Sequence, residues 1–472
     1  MIILREPARA HDFEFLAGDE SNLNKTLGPL DALEALRKDG AKHVDIRWVQ
    51  NHWALILWKL AAICRHVPGE SQQRWRWGEV IRQLKYRYER EINRAHRSAI
   101  KRIQEHDSSA AQPMTLCVYQ IDRSKDGEQI PPVVLTDGWY QIQTKIDETL
   151  FRAIVRGRLK VGQKLHISGA RLECSGDGTD VLAAFKTSTL AIHANGCSLA
   201  RWDARMGLCA TPFISTMRSL CGSGGSIAAM RVEIVRVYPM AYIDMLPPEK
   251  LGNKSVMSTA RNEAEELQAA AEWTRDRDEW RTKLEHVWNQ QMRRSHLICE
   301  LLQAAQRHAK GKTENVEEEF NADEILDNLE KSPDANMVLR KVPNLGRKIN
   351  TLVDAAHQRK LQLQDEAHAE LEAELDEKVG PRNVRSFRVI KAVDFFPRLS
   401  EDDAADGRKS CAREAQLTVW DAANLVEGEL KVGNCFMITS LVPVSTTAWR
   451  GPDDDAEIFL ATRKDTKWIR LS

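Results

Sequence analysis

Apolar residues crowd positions 48–63, where Leu55, Ile56, Leu57, Leu60 and Ile63 surround Trp48 and Trp53. So dense a run predicts a helix buried on most sides, stopped by Pro68-Gly69. From Trp77 to about Glu105 apolar residues recur three and four apart, at Val80, Ile81, Leu84, Tyr88, Ile92, Ala95, Ala99, Ile100 and Ile103. This spacing predicts a second, long helix, and the chain to about Gln112 reads as helical. From Met114 the period falls to two. Met114–Tyr119, Pro132–Leu135, Trp139–Ile142 and Lys164–Leu172 read as short strands, with Asp137-Gly138 as a turn and a brief helix over Glu148–Val155. Short strands, one interrupting helix and glycine turns fit a small Greek-key barrel.

The run Cys221-Gly222-Ser223-Gly224-Gly225-Ser226 then reads as a linker, because it lacks the lysine and hydroxyl of a phosphate loop. A strand follows over Met230–Tyr238. Between Arg261 and Lys378 two imperfect heptad seams run through Trp273, Trp280, Leu284, Val287, Ile298, Leu301 and Ala305, and through Ile349, Leu352, Ala356, Leu363, Ala367, Leu371 and Leu375. Gly311, Pro333, Pro343 and Gly346 separate them, so the pattern predicts an antiparallel helical arm. Strands return after Gly380-Pro381.

An internal repeat organises these pieces. Residues 156–168 read RGRLKVGQKLHIS and residues 427–439 read EGELKVGNCFMIT, with six identities in thirteen positions. Each is followed by a strand and a tryptophan, Trp202 or Trp468. The expectation is an α+β multidomain chain: a helical domain over 1–112, a first barrel over 113–203 and a linker over 204–225. A second barrel, of the oligonucleotide/oligosaccharide-binding kind like the first, is split into 226–245 and 382–472 by an arm over 246–381.

Composition narrows the function. The 472 residues carry 68 basic and 68 acidic side chains, which excludes a polybasic coat but leaves local fields open. No apolar run approaches the roughly 18–20 residues of a membrane span, and the first residues resemble no secretory signal. Nine cysteines without a CxxC pair predict reduced thiols in an intracellular protein. GxxxxGK[ST], HExxH, GxSxG and zinc-type spacings do not occur, so no catalytic, metal or cofactor site is expected.

Binding remains. Between Arg74 and Arg102 ten Arg or Lys face three Glu, while the arm holds 18 basic and 26 acidic residues. Small barrels bind single-stranded nucleic acid through basic grooves and aromatic platforms. In the second barrel the candidates are Arg388, Trp420, Lys431, Trp449, Arg450, Arg463 and Lys464, with Trp139-Tyr140 beside Lys160 and Lys164 in the first. A tryptophan inside a strand serves equally as core, and residues 383–472 carry 13 basic and 14 acidic side chains, so a groove there requires charge segregation.

The motifs WVQNHWALILWKLAAI (48–63), QLKYRYEREINRAHRSAIKRI (83–103), LTDGWYQIQ (135–143), GRLKVGQKL (157–165) and RVYPMAYI (236–243) resemble the DNA-binding region of the breast-cancer type-two susceptibility protein family. That resemblance implies a nuclear mediator of homologous recombination that binds single-stranded DNA at double-strand breaks and helps load a RecA-like recombinase. It also implies a small acidic partner, the split-hand/split-foot protein. Arg74, Arg76, Arg82, Lys85, Arg87, Arg94 and Arg97 are candidates to hold it. Arg340, Lys341, Arg347 and Lys348 fall where the family's tower meets duplex DNA. A third barrel and the recombinase-binding repeats are not encoded here, which implies a fragment or a shorter, fungal-like member. The competing expectations are a protein-interaction scaffold, with DNA contact made elsewhere, and an enzyme acting on nucleic acid, for which no metal or nucleophile signal exists.

Overall fold

The computed structural model describes residues 2–17, 25–122, 130–174, 176–245, 259–308, 321–332, 334–342, 345–395, 413–422, 429–444 and 457–471. The chain divides into two compact units, one of residues 1–239 with 387–472 and one of residues 240–386.

In the first unit, a short ribbon of β1 (Phe15–Leu16) and β2 (Thr26–Leu27) leads to α1 (Pro29–Lys38), α2 (Ile46–His66), α3 (Ser71–Arg74) and α4 (Trp77–Tyr88). Asp45 caps α2, its carboxylate accepting the Trp48 N–H at 2.7 Å. Ten of its side chains, from Trp48 to Ala61, are buried, as the apolar density requires.

The expected helix over 77–105 is broken. After α4 comes a π-helical turn over Glu89–Asn93, then Ala95 at φ +51°, and only then α5 (Ala99–Gln104). The cause is local: Glu89 takes the Asn93 amide at 2.7 Å and the Arg94 guanidinium at 2.9 Å, while Glu91 turns inward. The like-charge pairs Arg90–Arg94 and Arg97–Lys101 of a continuous helix therefore do not form.

The first sheet contains β3 (Met114–Ile121), β4 (Val133–Thr136), β5 (Gln141–Lys145), then α6 (Glu148–Val155), β6 (Lys164–Ile167), β7 (Arg171–Cys174), α7 (Val181–Ala184), β8 (Ser188–Ala191), β9 (Cys197–Leu199) and β10 (Gly207–Leu208). Its order is β7-β8-β5-β4-β3-β6-β9, with β10 on β3. The β5–β8 pairing is parallel and the others are antiparallel. The Asp137-Gly138 turn forms as expected. Asp137 accepts the Trp139 and Tyr140 N–H groups, and the Ile100 N–H at the start of α5, each at 2.9 Å.

The second sheet contains β11 (Ile227–Asp244), β12 (Val384–Asp394), β13 (Glu414–Trp420), β14 (Cys435–Pro443), β15 (Ile458–Ala461) and β16 (Lys467–Leu471). Its order is β11-β12-β13-β15-β14-β16, and β11 also pairs with β14, so five strands close a circuit. The β13–β15 pairing is parallel, as β5–β8 is in the first sheet. The sequence repeat is a structural repeat. Gly162 at φ +88° donates to Val118 O at 2.8 Å, and Gly433 at φ +84° donates to Ile234 O at 2.8 Å. In each case the turn before the fourth strand docks on the first.

The glycine run between the sheets is packed. Asn195 donates to Cys221 O (2.8 Å) and Gly225 O (3.0 Å) and accepts the Cys221 N–H (2.9 Å). A Cβ on Gly224 would lie 2.7 Å from the Asn195 amide oxygen. At Gly224 the glycine answers a steric demand within this linker.

In the second unit, α8 (Glu263–His308) and α11 (Leu345–Lys378) are the two expected long helices, with the short α9 (Ala322–Lys331) and α10 (Ala335–Lys341) between them. The 46 residues of α8 span about 70 Å at ~1.5 Å each. Arg277 bonds Asp376 at 3.0 Å, and Cys299 meets Ala356 O at 3.6 Å, so α8 and α11 run antiparallel. Ile298, Leu302, Leu326, Leu329, Leu339, Ile349 and Leu352 pack one apolar core among the four helices.

Candidate nucleic-acid interface

The second sheet brings together only some of its candidates. Trp420 ends β13, half-buried, its ring 5.3 Å from Phe387. Its N–H donates to Thr462 Oγ1 at 2.9 Å, which sets Arg463 and Lys464 just beyond. Both of those are exposed, and Arg463 leans on Asp465 at 3.1 Å. Arg388 stands directly opposite buried Val419, hence on the other face of the sheet from Trp420. Its Nε donates to Tyr238 O at 3.0 Å. Lys431 is exposed at the opposite end of β14 from Arg463, because β14 pairs Cys435 with Leu471 and Thr439 with Lys467. Strand parity and register therefore separate Arg388 and Lys431 from the Trp420–Arg463–Lys464 group. Trp449 and Arg450 lie outside the described residues.

Six of the seven helical-region candidates already have partners in the chain. Arg74 holds Glu70 at 2.6 Å, and Arg82 grips Glu79 through two bonds of 2.7 and 2.6 Å. Lys85 meets Asp39 at 2.6 Å, Arg94 meets Glu89, and Arg97 meets Asp107. Arg76 is exposed at the start of α4. Arg87 is corrected outright. It is 6% exposed, its guanidinium donates to His52 Nδ1 at 2.7 Å, and it lies 5.2 Å over the Trp139 ring. It belongs to the interior and has no surface for a partner.

Arg87 leads to a node that sequence reasoning missed. Glu91 is 5% exposed, yet accepts Trp48 Nε1 at 3.0 Å, Tyr140 Oη at 2.5 Å and Lys101 Nζ at 2.7 Å, with His52 Nε2 at 3.4 Å. Because Arg87 can only donate, His52 Nδ1 accepts and the Nε2 proton faces Glu91. Burial would raise the Glu91 carboxyl, but His52, Lys101 and Tyr140 outweigh it and hold it at about 2. Burial, with Arg87 and Lys101 nearby, lowers His52 to about 4 despite Glu91. A carboxylate thus joins the helical region to the first sheet. The available signal was an acid three residues after Tyr88, on the apolar face of a basic segment.

This corrects the reading of Trp139-Tyr140 as a platform. Tyr140 is buried on Glu91, and Trp139, under Arg87, accepts the Asn51 amide through its carbonyl at 2.8 Å. In the second unit, Arg340 and Lys341 are exposed at the end of α10 and Lys348 is half-buried in α11. Arg347 lies in α11, its side chain outside the described residues. Among the described residues, no group of three or more His, Cys, Asp or Glu is placed to hold a metal ion, and no helix is long and apolar enough to cross a membrane.

Comparison with known proteins agrees with this arrangement. Residues 39–95 match the family model "BRCA2, helical", and residues 98–210 match "BRCA2, oligonucleotide/oligosaccharide-binding, domain 1". A helical region locked onto an oligonucleotide/oligosaccharide-binding fold defines the class of protein. The chain is 29% identical over 473 residues to Protein BREAST CANCER SUSCEPTIBILITY 2 homolog A of Arabidopsis thaliana, and equally so to homolog B. These alignments cover 96% of this chain and 38% of each relative, so the chain spans well under half the length of the curated relatives it matches. The chain is thus similar to the BRCA2 family across its helical region and first sheet.

Proposed function

We propose that this chain is the single-stranded DNA-binding part of a nuclear homologous-recombination mediator that helps load a RecA-like recombinase at double-strand breaks. The observation that carries this reading is the repeated strand topology. The first sheet falls in the matched oligonucleotide/oligosaccharide-binding region, and the second repeats its neighbour order β8-β5-β4-β3-β6-β9 as β15-β13-β12-β11-β14-β16, with the same parallel pairing and the same glycine turn. We read the second sheet as a second barrel of this kind and α8–α11 as a tower inserted in it. Arg340, Lys341, Arg347 and Lys348 are its candidate duplex contacts.

Trp420, Arg463 and Lys464 are the strand-binding candidates that share one end of the second sheet. A small acidic partner fits Arg74, Arg76, Arg82, Lys85, Arg94 and Arg97, because the exposed pairs among them, such as Lys85–Asp39 and Arg94–Glu89, are worth roughly 0–1 kcal/mol and exchange readily for a partner's carboxylates. The test is binding of a labelled single-stranded oligonucleotide across a salt series, with duplex as comparison. Binding that exceeds duplex and falls steeply with salt is expected. Equal or absent binding to single strands overturns the reading in favour of a scaffold.

A further inference from the structure

Trp202 is 85% exposed, on the turn that follows β9. The surroundings of that ring are built. Continuing the β6–β9 register (Leu165 opposite Leu199) brings the turn beside Gly162 and Gln163. Lys164 bridges outward, its Nζ donating to Ala204 O at 2.7 Å, and so holds the turn against the outer face of β6. Two residues along that face, about 7 Å away by strand geometry, His166 stacks on Phe213 with ring centroids 6.5 Å apart and planes 23° from parallel. Lys160 and Arg205 are exposed nearby in the two turns, and Arg201 pairs with Asp203 at 3.1 Å. Cations and flat rings from β6 and the turns beside it therefore gather on one face, and the one carboxylate in the second turn is already engaged.

From this we propose that Trp202 is a base-stacking step, and that the outer face of β6 is a second contact for single-stranded nucleic acid, separate from the Trp420 end of the other sheet. The inference rests on the single-strand reading above and adds a residue and a surface to it. An open indole takes a base of any sequence on its face, without a pocket, while the neighbouring cations follow the phosphates. A peptide's apolar side chain would instead need a depression to fill, and the ring stands out from its turn.

The test uses the full chain with a labelled oligo-dT strand, read by anisotropy, and an iodouracil-substituted strand for photocrosslinking. Trp202→Ala should weaken oligo-dT binding by about 5- to 100-fold, the range for one lost stacking step. Trp202→Phe should retain most of it, and the crosslink should map to Trp202. Circular dichroism of Trp202→Ala should match wild type, since so exposed a ring supports little of the core. If wild type binds and Trp202→Ala binds equally, this inference fails and the single-strand reading stands. If wild type binds no strand, both fail. If Trp202→Ala loses a poly-glutamate peptide but keeps oligo-dT, the face is a protein contact and the inference is overturned.

Discussion

Asn195 holds Cys221 from both sides, accepting its N–H at 2.9 Å and donating to its carbonyl at 2.8 Å, as a neighbouring strand would. The side chain of one half-turn thereby fixes the glycine-rich run that enters the second sheet. Asn195→Ala leaves a half-buried N–H and C=O of Cys221 without this partner and should cost about 1–2 kcal/mol. Gly224→Ala should be at least as damaging, because its Cβ meets the Asn195 amide. Denaturant midpoints measure both, and a neutral Gly224→Ala would show that Asn195 does not constrain this run.

Acidification should drain stability in two stages. His52 titrates near 4 when folded against an ordinary 6.5, so below about pH 6.5 the unfolded chain takes up its proton first and stability falls. Glu91, near 2 against 4.5, contributes stability that is complete above about pH 4.5 and is lost as pH drops toward 2. Chemical unfolding at pH 7.5, 5.5 and 4 should show midpoints declining in that order, with a shallower first step in His52→Asn. Identical midpoints at pH 7.5 and 5.5 would refute the His52 contribution. Glu91→Ala should cost about 3–5 kcal/mol at neutral pH, since it leaves the Lys101 ammonium without its carboxylate.

The two equivalent glycine turns offer a matched pair. At Gly162 and Gly433 an added Cβ meets nothing within 4 Å, so the cost of alanine is conformational alone. Gly162→Ala and Gly433→Ala should each destabilise by about 1–2 kcal/mol, the penalty for a left-handed residue. A large difference between them, by thermal or chemical unfolding, would show that the turns are not equivalent.

Charge reversal should separate the two ends of β14. Arg463→Glu with Lys464→Glu should reduce the salt slope of oligo-dT binding by about 1–2, while Lys431→Glu should change it by less than one. Equal effects would return Lys431 to the same groove.

Much of this architecture is legible in order along the chain. The helical density over 48–63, the Asp137-Gly138 turn, the heptad seams and the repeated LKVG are local patterns. Side-chain period and backbone freedom act over a few residues, so such patterns report themselves. What the sequence left open depends on which elements meet. Arg87 counted as surface charge until α2 and Trp139 closed over it, and Glu91 counted as an offsetting acid until Trp48, Tyr140 and Lys101 converged on it from 43, 49 and 10 residues away.

The BRCA2-family resemblance, the strand runs and the internal repeat were thus determined by the sequence itself. Tertiary structure alone decided that Glu91 is buried among Trp48, Tyr140 and Lys101, that Arg388 and Trp420 occupy opposite faces, and that the glycine run is clamped. Each of these outcomes turns on a contact between distant segments: a charge desolvated, a strand register set or a Cβ excluded. No window of neighbouring residues contains both partners of such a contact.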